Sequence, residues 1–183
     1  MSLKHGLLGL LNYEPMTGYE LDKEFKESLD YFWQARGNQI YRELDLMEKN
    51  GWLTSERVIQ AEKPNKRVYS ITANGKKELL DWLSSPEADI ANATNVKSAF
   101  LLRVFFAGET GKEKALELLR SFRDVCVASN TKIDEPIKKI AHEELNYPEQ
   151  AVYWNLTASY GAMMNQARIA WAEEAIAKLE SMN

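Results

Sequence analysis

Hydrophobic residues recur with helical spacing along the first 83 positions, and a run of strand-forming residues interrupts them once. This pattern predicts four helices, over residues 3–12, 18–29, 38–50 and 73–83. Thr17 and Glu20 have the spacing of a capping box, which predicts the start of the second helix. The buried face of the third helix is predicted at Ile40, Leu44 and Met47, spaced i, i+4, i+7.

A β-hairpin is predicted between the third and fourth helices. Residues 53–60 and 66–72 are rich in Val, Ile, Thr and Tyr, and AEKPN between them contains the breakers of a turn. Three helices, a two-stranded ribbon and a further helix follow the order of a winged helix-turn-helix. The third helix is then the recognition helix, and the hairpin is the wing.

The second half has a different pattern, without a strand signal after residue 90. Helices are predicted over 95–109, 112–145 and 149–181, and the two long ones would each span roughly 50 Å. A coiled-coil-like seam is predicted along residues 112–145 at Ala115, Leu118, Phe122, Val125 and Ser129. A second apolar stripe follows residues 149–181 at Val152, Leu156, Tyr160, Met163, Ala167 and Trp171.

Stripes of this length exceed what a small domain can bury, so the long helices are expected to pair antiparallel with each other and with a second chain. The predicted fold is therefore mostly α (α+β). Residues 1–85 form a winged helix-turn-helix DNA-binding domain, and residues 86–183 form a helical dimerisation domain. Ser84-Ser85-Pro86 is the predicted boundary.

Composition and charge narrow the function. Hydrophobic residues make up 45% of the chain and charged residues 27%, and no run of 18 apolar residues predicts a membrane span. The basic, apolar N-terminus is interpreted as a first helix, because no small-residue cleavage site follows it. A lone Cys126 fits a reducing cytoplasm, and a buried structural thiol is the expected role.

The net charge of −4 has the wrong sign for a nucleic-acid binder, and neither predicted domain is basic. Positive charge is instead local, because residues 57–67 hold four basic residues and one acidic residue. A wing tip containing Lys63, Asn65, Lys66 and Arg67 could contact phosphates or the minor groove. The alternative is an ordinary solvated turn.

The exposed side of the third helix carries groups that read base edges. Asn38 and Gln39 can bond adenine, Arg42 can bond guanine, and Tyr41 suits a phosphate contact. The alternative is a solvated face of an amphipathic helix. The helix before it and the hairpin after it favour recognition of DNA, because the three elements follow the order of a winged helix-turn-helix.

Enzyme chemistry and metal binding are not expected. His5 and His142 lie far apart in sequence, and one cysteine does not make a metal quartet. No Gly-rich phosphate loop or nucleophile motif is present, so no cofactor is predicted. A ligand cavity is possible at Trp154, Tyr160, Met163 and Trp171, with helix–helix packing as the alternative that the pattern favours.

Four segments together resemble the PadR family of bacterial transcriptional regulators: 18-GYEL-21, 39-QIYREL-44, 50-NGWL-53 and 67-RVYSITANGKKEL-79. Three sequence segments are most similar to the virulence-activator branch of that family, called AphA: SLKHGLLGLL, YFWQA and KRVYSIT. The resemblance implies a homodimer whose C-terminal helices embrace and whose winged helices bind an inverted-repeat operator. It places Tyr19, Asn38, Gln39, Tyr41 and Arg42 on DNA-facing elements, and Lys66 and Arg67 on the wing.

The sequence therefore predicts a dimeric transcriptional regulator that binds double-stranded DNA. Two alternatives stay open. One is a winged helix that has become a protein-docking module, which the acidic charge favours. The other is a regulator whose dimer is controlled by a small-molecule effector.

Overall fold

In the computed structural model the chain divides into two compact units, Met1–Asn95 and Val96–Asn183. The structure describes residues 3–30, 32–59, 66–86, 89–90, 93 and 98–182, and side chains 131–136 lie outside that description. The fold is mostly helical with one small antiparallel sheet. The predicted domain boundary after residue 85 stays a prediction.

The first unit follows the predicted order with one addition. Its elements are α1 (Leu3–Leu11), β1 (Met16–Thr17), α2 (Gly18–Ser28), α3 (Gly37–Lys49), β2 (Leu53–Val58), β3 (Lys66–Ile71) and α4 (Ala73–Leu83). The bounds of α4 coincide with the predicted helix 73–83. The other helices of this unit differ from their predictions by one residue at one end or, for α3, at both ends, which is within the fraying of helix termini.

Helix α1 lies at the centre of the core of this unit and contacts α2, α3 and α4. It is apolar on most of its circumference, as expected of a helix surrounded by others. Side chains that are almost fully removed from water come from every helix, and they include Leu7, Leu8, Leu21, Phe25, Ile40, Leu44 and Met47.

The predicted two-stranded wing is present as β2 and β3, and the sheet also contains a third strand that was not predicted, in the order β1-β3-β2. Strand β2 pairs with β3 antiparallel from Leu53↔Ile71 to Val58↔Lys66, as the hairpin prediction requires. The added strand β1 pairs with the other edge of β3 through Met16↔Tyr69 and Thr17↔Val68. Two residues are too few for a period-2 pattern, so β1 was not predicted.

The junction between the wing and α4 is tightly built. Gly51 ends α3 with φ +71°, and its carbonyl accepts a hydrogen bond from the Thr72 hydroxyl at 2.7 Å. The same Thr72 oxygen caps α4 by accepting from the Gly75 N–H at 3.0 Å. The Thr72 N–H in turn donates to the Trp52 carbonyl at 3.0 Å. One threonine therefore ties the end of α3 to the start of α4.

A buried histidine joins α1 to α4. The His5 side chain is 6% exposed and stacks on Trp82 with ring centroids 4.4 Å apart. Its Nε2 lies 3.3 Å from Glu78 Oε1, which also accepts from Lys4 Nζ at 2.7 Å. Burial lowers the pKa of His5 below 6.5; the Glu78 hydrogen bond raises it only partly, and Lys4 lowers it further.

This histidine predicts a loss of stability in weak acid. The unfolded chain binds a proton at His5 near pH 6.5, whereas the folded chain binds it only at lower pH. The free energy of unfolding is therefore expected to fall as pH drops through about 6.5 to the folded pKa. We expect His5→Gln to flatten the pH dependence between about pH 7 and pH 5, measured by urea unfolding.

The Glu78 carboxyl does not interfere with that measurement. Hydrogen bonds from Lys4 and then His5 hold the pKa of Glu78 below 4.5, so its contribution is lost only in stronger acid. An unchanged slope between pH 7 and pH 5 in His5→Gln would assign the acid sensitivity to another group.

The second unit is a helical hairpin with a short preceding helix. Its elements are α5 (Ala99–Phe105), a 3-10 turn (Ala107–Thr110), α6 (Lys112–Glu143) and α7 (Pro148–Glu180). The single helix predicted over 95–109 is wrong over its described part, because it ends at Phe105 and gives way to the 3-10 turn. Residues 95–97 of that prediction lie outside the described residues.

Helices α6 and α7 pack along each other mainly through residues outside the two predicted stripes, although Phe122 and Trp171 of those stripes meet. Along α6 the buried residues are Ala115, Leu116, Leu119, Cys126 and Ile140. Val125 of the predicted seam is exposed, and only Ala115 of that seam is buried. Along α7 the buried residues are Ala151, Ala158, Asn165, Ile169, Ala172 and Ile176. Alanines thus make up half of the buried positions of α7, while the large residues Val152, Leu156, Tyr160 and Met163 are exposed.

One polar side chain lies inside this hairpin. Asn165 is 4% exposed, and its Nδ2 donates to the Cys126 carbonyl at 2.8 Å and to Asn130 Oδ1 at 2.6 Å. Both bonds cross from α7 to α6. The Cys126 thiol beside them is buried, and burial raises its pKa, with Arg168 opposing that shift.

In the described part of the chain, no helix combines the length and the apolar character that a bilayer crossing demands.

Candidate nucleic-acid interface

The start of α3 presents polar side chains to solvent. Asn38, Gln39, Tyr41 and Arg42 are all exposed, whereas Ile40, Leu44 and Met47 have no exposed surface. The amphipathic pattern predicted for this helix is therefore present. The buried face fixes the helix on the core and leaves the opposite side for a partner.

The glycine before Tyr19 brings α2 into contact with α3. A Cβ built at Gly18 would lie 2.6 Å from Cε1 of Tyr41, so no larger residue fits while that ring stays in place. Thr17 and Glu20 form the predicted capping box, through Thr17 N–H to Glu20 Oε2 at 2.9 Å and Glu20 N–H to Thr17 Oγ1 at 3.2 Å. Tyr19 is 72% exposed beside this contact.

The start of β3 lies beside the same end of α2. Strand β1 pairs with β3 through Thr17↔Val68, so the chain just before Val68 runs close to the first turn of α2. The hydrogen bonds with Thr17 lower the pKa of Glu20 most, and the charge of Lys66 lowers it further. The structure therefore groups Tyr19, Tyr41 and Lys66 around the beginning of α2.

Gln39 has a structural bond that sequence reasoning missed. Its Oε1 accepts a hydrogen bond from the Arg36 N–H at 2.9 Å, at the N-terminus of α3. A bidentate contact with adenine uses both the oxygen and the amide NH2 group of glutamine. Because this oxygen has two lone pairs, such a contact would share it between the Arg36 N–H and the adenine amino group.

Arg67 turns back toward α3 rather than away from the protein. Its guanidinium contacts Glu48 and lies 3.4 Å from Asp45 Oδ1, and its Nε donates to Ser55 Oγ at 2.8 Å. The group also lies 5.2 Å from the centre of the Tyr69 ring. Arg67 is thus an intramolecular partner although it is partly exposed, and its neighbour Lys66 is exposed as well. The other two predicted wing residues, Lys63 and Asn65, lie outside the described residues.

The four aromatic and sulfur side chains of the predicted ligand cavity do not converge within one chain. Trp154 packs on Ile140 and meets the Tyr147 ring edge-on at 6.0 Å. Trp171 meets Phe100 and Phe122 edge-on, 17 positions or roughly 25 Å further along α7. Tyr160 and Met163 between them are exposed. A ligand role for these residues stays a prediction.

No cluster of three potential metal ligands occurs among the described residues.

Two family models match almost the whole chain. Residues 7–81 match the Transcriptional regulator PadR-like family, and residues 96–180 match the Virulence activator alpha C-term family. Residues 7–81 therefore form a PadR-like domain. The first match covers α1 to α4 nearly completely, and the second covers α5 to α7.

Two curated proteins are similar to this chain. The negative transcriptional regulator PadR of Bacillus subtilis is 36% identical over 118 residues, which are 64% of this chain and 63% of the relative. A probable transcriptional regulator of Mycobacterium tuberculosis is 42% identical over 86 residues, 47% of this chain and 46% of the relative. The chain therefore matches less than two thirds of the length of either protein.

Solved structures match over nearly the full length. Bacillus subtilis PadR in complex with operator DNA has a TM-score of 0.78 and 27% identity, covering 97% of this chain and 98% of that one. The Vibrio cholerae virulence activator AphA has a TM-score of 0.76 and 28% identity, covering both chains completely. PadR has also been crystallised with p-coumaric acid, with a TM-score of 0.75, 25% identity and coverage of 98% and 96%.

Proposed function

We propose that this chain is a transcriptional regulator that binds an inverted-repeat operator as a homodimer. The exposed polar start of α3, held beside Tyr19 and Lys66, is the observation that carries this proposal. A helix of this kind suits the major groove, with base-reading side chains in its first two turns. The operator complex of Bacillus subtilis PadR supports the same partner.

The dimer is supported by an apolar face of α7 that α6 leaves uncovered. Val152, Leu156, Tyr160 and Met163 are each more than half exposed, and by helical spacing they lie opposite the buried alanines of α7. A stripe of large apolar residues on the surface marks an association site. We propose that a second copy covers it, which sets two half-sites about one helical turn, roughly 34–36 Å, apart or a multiple of it.

The test of this function is selection of bound duplexes from random DNA. The winning duplex is then titrated by fluorescence anisotropy between 50 and 200 mM salt. A palindromic sequence whose affinity falls with salt is the expected result, because phosphate contacts release counterions. If nothing is enriched at low salt and without added effector, the proposed DNA function is contradicted and protein docking becomes the better reading.

Arg42 is proposed to read a base. Arg42→Ala should weaken binding to the selected duplex by about 1–3 kcal/mol and relax the preference at one base position. The side chain is exposed, so the loss is expected in binding and not in folding. Repeating the selection with the variant measures both effects. Unchanged affinity and an unchanged consensus would remove this role from Arg42.

Lys66 is proposed to contact a phosphate. Lys66→Ala should weaken binding to specific and non-specific duplexes alike, and reduce the salt slope by about one. Arg42→Ala is the comparison: loss of a base contact changes the preferred sequence, whereas loss of a phosphate contact leaves it unchanged, since such a contact carries no sequence information. A slope equal to that of the wild-type chain would take Lys66 out of the phosphate contacts.

An aromatic acid is the effector class that we propose to examine first, because a PadR structure contains p-coumaric acid. The apolar and aromatic residues Trp154, Tyr160, Met163 and Trp171 offer surfaces for such a ring. Thermal shift with p-coumarate, benzoate and cyclohexanecarboxylate is the measurement. A shift that requires an aromatic ring and accompanies loss of operator binding supports a ligand-controlled regulator, whereas equal melting curves contradict it.

A further inference from the structure

The end of α3 and both strands of the wing are joined by a closed ring of three side chains. Ser55 Oγ donates to Glu48 Oε1 at 2.6 Å and accepts from Arg67 Nε at 2.8 Å. The Arg67 Nη2 group completes the ring on Glu48 Oε2. Each member comes from a different element: Glu48 from α3, Ser55 from β2 and Arg67 from β3.

Further contacts hold the guanidinium in this position. Asp45, one turn before Glu48 on α3, lies 3.4 Å from Arg67 Nη1. Tyr69 is buried on the same strand as Arg67, and its ring lies beneath the guanidinium. Two carboxylates and an aromatic face therefore surround the charge of Arg67. A planar guanidinium bonded at several nitrogens is fixed in direction as well as in position.

We propose that Arg67 is a positioning residue, which sets the angle of the wing relative to α3 and does not itself contact DNA. This inference rests on the proposed DNA-binding function and deepens it. The wing is a two-stranded ribbon along most of its length, and a ribbon of this kind twists easily. The ring ties both of its strands to the helix that carries Asn38, Gln39 and Arg42. Exposed ion pairs stabilise a fold only slightly, so orientation is the main effect of this one.

The opposing possibility is that Arg67 is a phosphate contact that Glu48 holds back in the free protein. The two possibilities predict opposite signs for Glu48→Gln. If Arg67 positions the wing, removing the carboxylate weakens DNA binding because the ring opens. If Arg67 is a restrained contact, the same change releases the guanidinium and tightens binding.

The experiment compares variants on the selected duplex by anisotropy between 50 and 200 mM salt. Arg67→Lys and Glu48→Gln should each weaken binding about tenfold, the equivalent of one charge-assisted hydrogen bond, with the salt slope unchanged. Lysine keeps the positive charge but lacks the planar guanidinium with its several N–H donors. It would therefore preserve a phosphate contact but not the ring with Glu48 and Ser55. Glu56→Gln, on the other face of β2, controls for the loss of one negative charge.

Two results would overturn the positioning role: Arg67→Lys binding like the wild-type chain, or Glu48→Gln tightening binding beyond the gain seen in Glu56→Gln. Circular dichroism melting identifies any variant that fails to fold. Hydrogen exchange on the DNA-free proteins gives a second readout, since an opened ring should speed exchange in β2 and β3.

That second readout also separates the inference from the proposed function. A wild-type chain that binds no duplex contradicts the function, whereas exchange in β2 and β3 still decides whether Arg67 and Glu48 hold the wing. Unchanged exchange in both variants overturns the inference even if operator binding is established.

Discussion

Gly75→Ala is expected to destabilise the first unit more than the same substitution at any other glycine of that unit. A Cβ at this position would lie 2.1 Å from the Trp52 carbonyl oxygen and 3.0 Å from Ile71. The obstacle is backbone, and Thr72 bonds hold it from both sides, so no side-chain rotation removes the overlap. We expect a loss of about 3 kcal/mol or more, a large part of the stability of a small domain. Urea unfolding followed by circular dichroism measures it.

Gly9→Ala is the matched control. Gly9 lies inside α1, and a Cβ there meets nothing within 4 Å outside its own helix. Alanine is a better helix former than glycine, so this variant should gain about 0.5–1 kcal/mol. Equal effects of the two substitutions would show that the close approach at Trp52 relaxes more easily than the structure implies.

Leu156→Glu is expected to abolish the homodimer and, with it, tight operator binding. Leu156 is 61% exposed on the uncovered face of α7, so the substitution leaves the α6–α7 hairpin intact. In the proposed dimer the new carboxylate would be buried without a partner, which strongly disfavours association. Loss of the second half-site should reduce operator affinity by about 100- to 10,000-fold. Sedimentation gives the oligomeric state, and anisotropy gives the affinity.

Gln166→Glu introduces the same charge at an exposed position of α7, away from the centre of the apolar face. It should remain dimeric and bind the operator like the wild-type chain. A Leu156→Glu chain that is still dimeric would place the dimer contact elsewhere. A monomeric wild-type chain that nonetheless binds a palindrome would contradict the proposed assembly itself.

The elements that the sequence predicted well are those with a local signal. The third helix is defined by Ile40, Leu44 and Met47 within eight residues, and α4 is defined by the cap at Thr72. The pairing of β2 with β3 was also predicted from neighbouring residues, since two runs of strand-forming residues flank a segment that contains Pro64 and Asn65. These features required no information about distant parts of the chain.

The features that the sequence did not predict depend on contacts between distant residues. Gly18 against Tyr41 and Glu48 against Arg67 join residues 23 and 19 positions apart, and no periodic pattern connects them. Arg67 was therefore interpreted as a free wing cation. The face of α7 that packs on α6 was also not identified, because α7 is apolar on two sides and periodicity cannot tell which side meets α6.

The buried Asn165 amide limits how the second unit can change shape. A one-turn slide of α7 along α6, about 5.4 Å, would carry Asn165 away from Asn130 and the Cys126 carbonyl and leave the amide without hydrogen bonds. The alanines around it would tolerate such a slide, so the asparagine sets the register of the hairpin. Any allosteric movement that involves α6 and α7 should therefore rotate the two helices together as a rigid body, and should not slide one helix along the other.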